Sequence, residues 1–323
     1  MTQLHSLSRT HILIACAAAS LAQSCQVDLA PSPCERTEPY VTAANLYAAG
    51  SSVPCGPSDA ACLLVSTEAV PHGVAASSGR LVYTVQPGLV AWVLADGPAG
   101  QQPEQLNGAA AGPNAAAAQG DLVAWVSGSD SELWLRSMQE GVNRNSQANL
   151  VDDCIAFDAD RIYVTRNKAG LIGSVLAMAS AIANECCCAP GDTSCCASQS
   201  ACSDGVTLLI DGRINPHGTT ALGGSAYWVE TGMLRRIGAD GSGEEALVAV
   251  SDTAGCMAAG SELVFYGDTN AGTIWAYSLV GGCRVPIVSG IHTVTDIPLS
   301  VALDEGHLYW TSLEGIWRMP RPF

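Results

Sequence analysis

A short apolar run carrying Tyr or Trp, a small or polar break, and a second apolar run return six times along the chain. The copies begin at Leu81-Val82-Tyr83, Leu122-Val123-Ala124-Trp125, Arg161-Ile162-Tyr163, Ala226-Tyr227-Trp228, Val264-Phe265-Tyr266 and Leu308-Tyr309-Trp310. One such unit cannot bury its apolar face without neighbours, so its repetition constrains the whole architecture. Counted down the aromatic column Tyr83, Ala124, Tyr163, Tyr227, Phe265 and Tyr309, the steps are 41, 39, 64, 38 and 44 residues. Only the third is long, and its excess of roughly 25 residues is close to the length of the cysteine-dense segment 184–204, which reads as an insertion. A period of about 40 residues built from short strands is the length of one four-stranded propeller blade.

The fifth copy shows the pattern most clearly. Small residues from Cys256 to Gly260 suit an inner strand, Glu262 to Gly267 and Thr273 to Leu279 the next two, and Arg284 to Ser289 the outer one. Ala and Gly crowd the first strand of nearly every copy, as the narrow centre of a propeller requires, while Val, Ile, Trp and Tyr in the second and third strands fill the space between blades. The last copy ends after a third strand at Gly315 to Met319. Its missing fourth strand is supplied by Leu63 to Thr67, which matches the outer strands Leu247 to Ser251 and Pro286 to Ser289. The prediction is an all-β, six-bladed β-propeller of 24 strands, its ring closed by strand 63–67 so that no open edge remains. Blade two carries Ala124 in place of the aromatic and a poor outer strand in Val142 to Leu150, and Leu171 to Ala183 in blade three has the composition of a helix.

Leu308-Tyr309-Trp310-Thr311 followed by Gly315-Ile316-Trp317-Arg318 resembles the YWTD repeat of low-density-lipoprotein-receptor-type six-bladed propellers. Pro71-His72-Gly73-Val74-Ala75 and Pro216-His217-Gly218 resemble the start of that repeat, and similar arrays occur in secreted bacterial lipoproteins. The resemblance spans about residues 62 to 323 and implies the same ring. The fourth motif position reads Gln86, Ser127, Arg166, Glu230, Asp268 and Ser312, so the Asp of the motif stands once. The resemblance implies a binding scaffold more often than an enzyme, and a shared fold does not by itself assign activity.

Export is the expectation from the N-terminus. Arg9 and His11 precede the apolar stretch Ile12 to Ala22, which is too short to span a bilayer and sits where a signal peptide belongs. Leu21-Ala22-Gln23-Ser24-Cys25 resembles a lipoprotein cleavage box, making residues 1–24 the signal and Cys25 the lipid-bearing residue. Leu13-Ile14-Ala15-Cys16 matches that box by letter but leaves almost no apolar core, and ordinary cleavage after Ala22 is the other alternative. Residues 25–61, broken by Pro31, Pro33, Pro54 and Pro57, read as a tether to the ring at 62–323. Of 14 cysteines, losing Cys16 and lipidating Cys25 leaves twelve, an even number suited to disulfides outside the cytosol.

Those twelve are Cys34, Cys55, Cys62, Cys154, Cys186, Cys187, Cys188, Cys195, Cys196, Cys202, Cys256 and Cys283. If Cys34, Cys55 and Cys62 are all oxidised, at least one pairs outside the tether. The six between Cys186 and Cys202 read as a disulfide knot in an insertion too small for a core, with a soft-metal site as the alternative.

His72 and His217 hold the same place in blades one and four, at the loop leading into the inner strand, and Asn114 and Asp153 occupy the equivalent places in blades two and three. In a six-membered ring these four make candidate binding residues at the mouth of the central channel, the histidines facing one another as ligands or acid/base groups. The other reading is that Pro-His-Gly is only a common way to begin this repeat. No nucleophile elbow, His-Glu-x-x-His motif, phosphate loop or dinucleotide fingerprint occurs. With 30 acidic against 14 basic residues the surface should repel phosphate backbones, which excludes nucleic acid as a partner and favours a cationic ligand, calcium or another divalent ion, or a basic protein face. The expectation is a non-catalytic ligand- or protein-binding propeller of the cell envelope, touching the membrane only through its N-terminal lipid and working in the outer membrane, periplasm or outside the cell on an envelope protein or small ligand. The alternative is a metal-dependent hydrolase with its site at the channel mouth.

Overall fold

A computed structural model describes residues 33–42, 46–47, 61–97, 101–106, 112–127, 132–139, 141, 143–145, 154–168, 172–179, 206–294, 297 and 299–323. The first strand, β1 (Cys62–Ser66), belongs to the last blade. Blade one is β2 (Pro71–Ser77), β3 (Arg80–Val85), β4 (Leu89–Leu94) and β5 (Glu104–Gln105). Blade two is β6 (Pro113–Gln119), β7 (Leu122–Ser127), β8 (Glu132–Ser137) and β9 (Asn143–Asn145), and blade three is β10 (Ile155–Asp158), β11 (Arg161–Lys168), β12 (Ile172–Ala179) and β13 (Val206–Ile214). Blade four follows with β14 (His217–Leu222), β15 (Ser225–Glu230), β16 (Met233–Gly238) and β17 (Glu245–Ala249), then blade five with β18 (Ala258–Gly260), β19 (Leu263–Asp268), β20 (Thr273–Ser278) and β21 (Arg284–Ser289). Blade six is β22 (Val301–Leu303), β23 (His307–Ser312) and β24 (Gly315–Pro320), completed by β1 in the order β1-β24-β23-β22. Six antiparallel four-stranded sheets result, and the ring closes through the N-terminal strand.

The closing strand runs antiparallel to β24 with Cys62 opposite Arg318 and Ser66 opposite Gly315. Gly315 sits at φ 139° directly against the carbonyl of Val65, a position with no room for a Cβ. The stretch with helical composition in blade three is strand β12, because its side chains alternate: Leu176 and Met178 pack toward blade two, Val175 and Ala177 toward blade four. A period of two buries both faces of a sheet between neighbours, which a helix there would not do.

The same alternation corrects the aromatic column. All six second strands are aligned by their first residues Arg80, Leu122, Arg161, Ser225, Leu263 and His307. Val82, not Tyr83, then stands level with Ala124, Tyr163, Tyr227, Phe265 and Tyr309, all facing the next blade. Tyr83 belongs with Trp125, Val164, Trp228, Tyr266 and Trp310, which face the previous blade. Each boundary is therefore filled by one residue of each set. At these two positions five of the six boundaries have an aromatic, and the one between blades two and three holds Ala124 against Val164, with Phe157 packed beside them. Full burial of an aromatic contributes on the order of 2–3 kcal/mol, a contribution this boundary lacks at the two positions that supply it elsewhere.

At the sixth position of the second strand, which aligned sequences gave as Gln86 in blade one, the structure has Val85. In blade four that position ties two blades together. Glu230, 5% exposed, accepts the Ile214 amide at 2.9 Å and pairs with Arg213 of blade three at 3.5 Å and Arg235 at 3.2 Å. Glu244 pairs with both arginines from outside. Removing Glu230 leaves the two partly buried arginines to Glu244 alone and takes the acceptor from the Ile214 amide and the Trp228 indole. Glu230→Ala is expected to lower unfolding stability by about 3 kcal/mol, the arginines' partial exposure keeping the loss toward the low end, and Glu230→Gln by clearly less; urea denaturation measures both. Other scarce basic groups also cross blades. Arg136 donates to Leu106, Arg161 to Ala239, Arg284 to Ala249 and Arg318 to Ala95, each to a carbonyl of a neighbouring blade.

Part of the N-terminal region lies along blade five. Cys34 is disulfide-bonded to Cys283, Val41 pairs in parallel with Val288 of β21, and the amides of Tyr40 and Val41 both donate to Ile287. This segment covers what would otherwise be the exposed outer edge of the blade. Cys62 is also disulfide-bonded. Residues 1–32, which hold the expected signal and Cys25, and the insertion 184–204 between β12 and β13 with its six cysteines lie outside the described residues, as does Cys55. No helix among the described residues is long and apolar enough to cross a membrane.

Candidate functional site

Antiparallel blades give a propeller two chemically distinct faces. On one, here the upper, each inner strand begins; on the other, the lower, each inner strand turns back into the second. At or just before the starts of the inner strands, on the upper face, stand His72, Asn114, Cys154, His217, Cys256 and Ser300, one from each blade. Local bulges where β2, β6 and β14 begin re-aim His72, Asn114 and His217. Close approach of neighbouring inner strands explains the small residues beside them. A Cβ on Gly73 would lie 2.8 Å from the Ala116 nitrogen of blade two.

Cys154 and Cys256 are joined by a disulfide, 102 residues apart in sequence and almost fully buried. They belong to blades three and five, so the bond skips blade four and crosses the mouth as a chord. His217 belongs to blade four, between the two blades that the bond joins. Its Nδ1 is 2.8 Å from the Asn215 carbonyl and its Nε2 is 3.9 Å from Asp252 Oδ1, both on the segments leading into blades four and five. Asn114 accepts instead from Gln86 Nε2 at 2.8 Å. The carbonyl of His72 accepts from Ser300 Oγ at 2.6 Å, while its half-buried ring makes no hydrogen bond to the other two candidates. Asp153 lies outside the described residues. The structure therefore gathers three of the four predicted residues on one ring without bringing their side chains together. Among the described residues no group of three or more His, Cys, Asp or Glu is placed to hold a metal ion.

Burial alone holds the His72 imidazole below its ordinary range. The unfolded chain takes up that proton near pH 6.5 while the folded chain does not, so the unfolded state binds more protons and stability falls as the pH drops below that value. His72→Gln should flatten the acid side of the melting-temperature profile between about pH 7 and pH 5, as thermal melts at fixed ionic strength will show.

The lower mouth is open. A cleft of about 820 Å³ lies among the β2–β3 turn of blade one, the β22–β23 turn of blade six and the end of β18 in blade five. Ser77, Ser78, Asp96, Glu305, His307 and Arg321 supply its polar groups. Asp304 at its wall is structural: its carboxylate accepts the amides of Gly306 and His307 and the hydroxyl of Tyr309. Burial, helped by that bond, pushes the Tyr309 phenol far up and keeps it protonated. Sequence reasoning missed this cleft because its residues are ordinary turn residues at the far ends of the inner strands, and only closure of the ring brings residues 76–79 beside residues 303–307.

No protein-family model and no curated protein matches the chain. Solved structures do. A chain of a nidogen/laminin complex superposes with a TM-score of 0.52 at 14% identity over 66% of this chain and 78% of that one. A structural-genomics protein of unknown function from Bacteroides thetaiotaomicron gives 0.55 at 11% identity over 78% and 69%, and streptogramin B lyase 0.51 at 11% over 78% and 95%. At these identities the likeness is one of fold. Six four-stranded blades, a ring closed by its N-terminal strand and the likeness of fold to that chain of the nidogen/laminin complex together make this chain a six-bladed β-propeller.

Proposed function

We propose that this protein is an exported, lipid-anchored binding propeller of the bacterial cell envelope, which holds a small ligand or the tip of a partner over the lower mouth of its channel without converting it. The observation that carries the reading is the open polar cleft at the lower mouth, formed by three blades, while at the upper ends of their inner strands blades three and five are tied by a disulfide. Clefts of several hundred Å³ with a few convergent polar groups are the usual form of a ligand site. Disulfides suit an oxidising compartment, and Cys25 offers the lipid anchor. The fold is shared with a component of a nidogen/laminin complex, a protein–protein assembly.

Ser77→Trp places an indole in the cleft at the end of β2. A ligand collection screened by calorimetry should yield compounds whose affinity drops at least tenfold in that variant while its melting temperature is kept. Binders indifferent to Ser77→Trp, or a bound ligand recovered as a chemically altered product, would overturn the reading. Intact mass of membrane-extracted protein should begin at an acylated Cys25.

A further inference from the structure

Arg321 differs from the chain's other structural arginines. Its amide donates to the Gly306 carbonyl at 2.8 Å, fixing the backbone at the cleft wall, yet its guanidinium has one hydrogen bond, Nη1 to the Asp304 carbonyl at the long limit of 3.5 Å. Nε and Nη2 are shielded from water and have no partner. These two nitrogens carry the parallel N–H pair along one edge of the guanidinium, the edge that grips a carboxylate with two hydrogen bonds. Unpaired buried donors are costly, so this folded-back pose is weakly held. Gly260 makes the pose possible at all, since a Cβ there would meet Nη2 at 2.9 Å.

The same cleft carries negative charge open to solvent. Asp96, 82% exposed in its side chain, pairs with Arg318 at 3.5 Å, and Glu305 is exposed. A ligand that is only an anion would meet these carboxylates on a chain of net charge −16. One carrying an ammonium group as well satisfies both ends. Resting on the binding reading above, we infer that the cleft takes a small zwitterion, an amino acid or short peptide, with Arg321 swinging from Gly260 into the cleft to hold its carboxylate while Asp96 and Glu305 face its ammonium group.

Tri-alanine, its C-terminal amide and its N-acetyl form, titrated calorimetrically into the full-length chain, separate the two ends. The free peptide should bind at least tenfold more tightly than either blocked form. Arg321→Gln should erase the preference for the acid over the amide and leave the preference for the free amine, and Arg321→Lys, which keeps the charge but loses the fork, should retain part of it; unchanged melting temperatures exclude a folding defect. A carboxylate preference that survives Arg321→Gln overturns the inference. So does failure of all three peptides to bind while some other ligand remains sensitive to Ser77→Trp, and in that case the binding reading stands. If no ligand of any kind is sensitive to Ser77→Trp, both fall.

Discussion

A chain that begins at residue 68 is expected not to fold. It lacks β1, and with it Leu63, Leu64 and Val65, all buried against β24 and its surroundings. Burial of each side chain contributes on the order of 1.5–3 kcal/mol, and together they approach the whole net stability of a typical domain. The loss is larger than that sum, because the ring no longer closes. Without β1, strand β24 becomes an open edge bearing Ile316, Trp317 and the buried Arg318, a template for pairing with other chains. A chain beginning at residue 61 keeps β1 but loses the Cys34–Cys283 bond, the cover over β21 and the packing of Val41, Leu46 and Tyr47 against blades five and six, so it should remain folded with a lower melting temperature. Circular dichroism and thermal melts of the two truncations provide the comparison. Soluble, cooperatively melting protein from residue 68 onward would contradict the closure.

The second large effect concerns the chord across the upper mouth. Cys154→Ser with Cys256→Ser removes a link between positions 102 residues apart, for which chain entropy gives roughly 3–5 kcal/mol. For a domain of this size that corresponds to a fall in melting temperature on the order of 10 °C. The placement of the bond sharpens the expectation. Both cysteines belong to the apolar cluster between blades two and three, where Ala124 and Val164 stand at the two positions of which at least one is aromatic in every other boundary. Hydrogen exchange in the double variant should therefore rise first in β7, β10 and β11 and last in blades four to six, where Trp228, Tyr266 and Trp310 fill the boundaries. Loss of protection spread evenly around the ring would assign the disulfide no special role at that seam.

The fold was legible from the sequence because a propeller repeats its burial demands. Period, small inner strands and the borrowed closing strand can all be read from side-chain size, and β1 falls within one residue of its expected place. What misled was a local accident. Tyr83 looks like the aromatic of the forward-facing column, but one residue of slip in a strand reverses the face, and only packing against blade six shows which face it serves. In β12, helix-forming composition lost to alternation against two neighbouring blades. The site was less legible. His72, Asn114 and His217 do begin inner strands, yet Cys154 and Cys256 share their level, and no spacing rule tells that residues of blades three and five meet across a channel. The lower cleft left no motif, since Asp96 of blade one and Glu305 and Arg321 of blade six meet only once the ring is closed.

The closed ring with blades three and five joined across its upper mouth is tested most directly by disulfide mapping of the unreduced protein. Digestion and mass spectrometry should recover a peptide containing Cys154 linked to one containing Cys256, and Cys34 linked to Cys283, both converting to their separate halves on reduction. Recovery of Cys154 or Cys256 as a free thiol, or of either linked to a cysteine between residues 186 and 202, would contradict the arrangement.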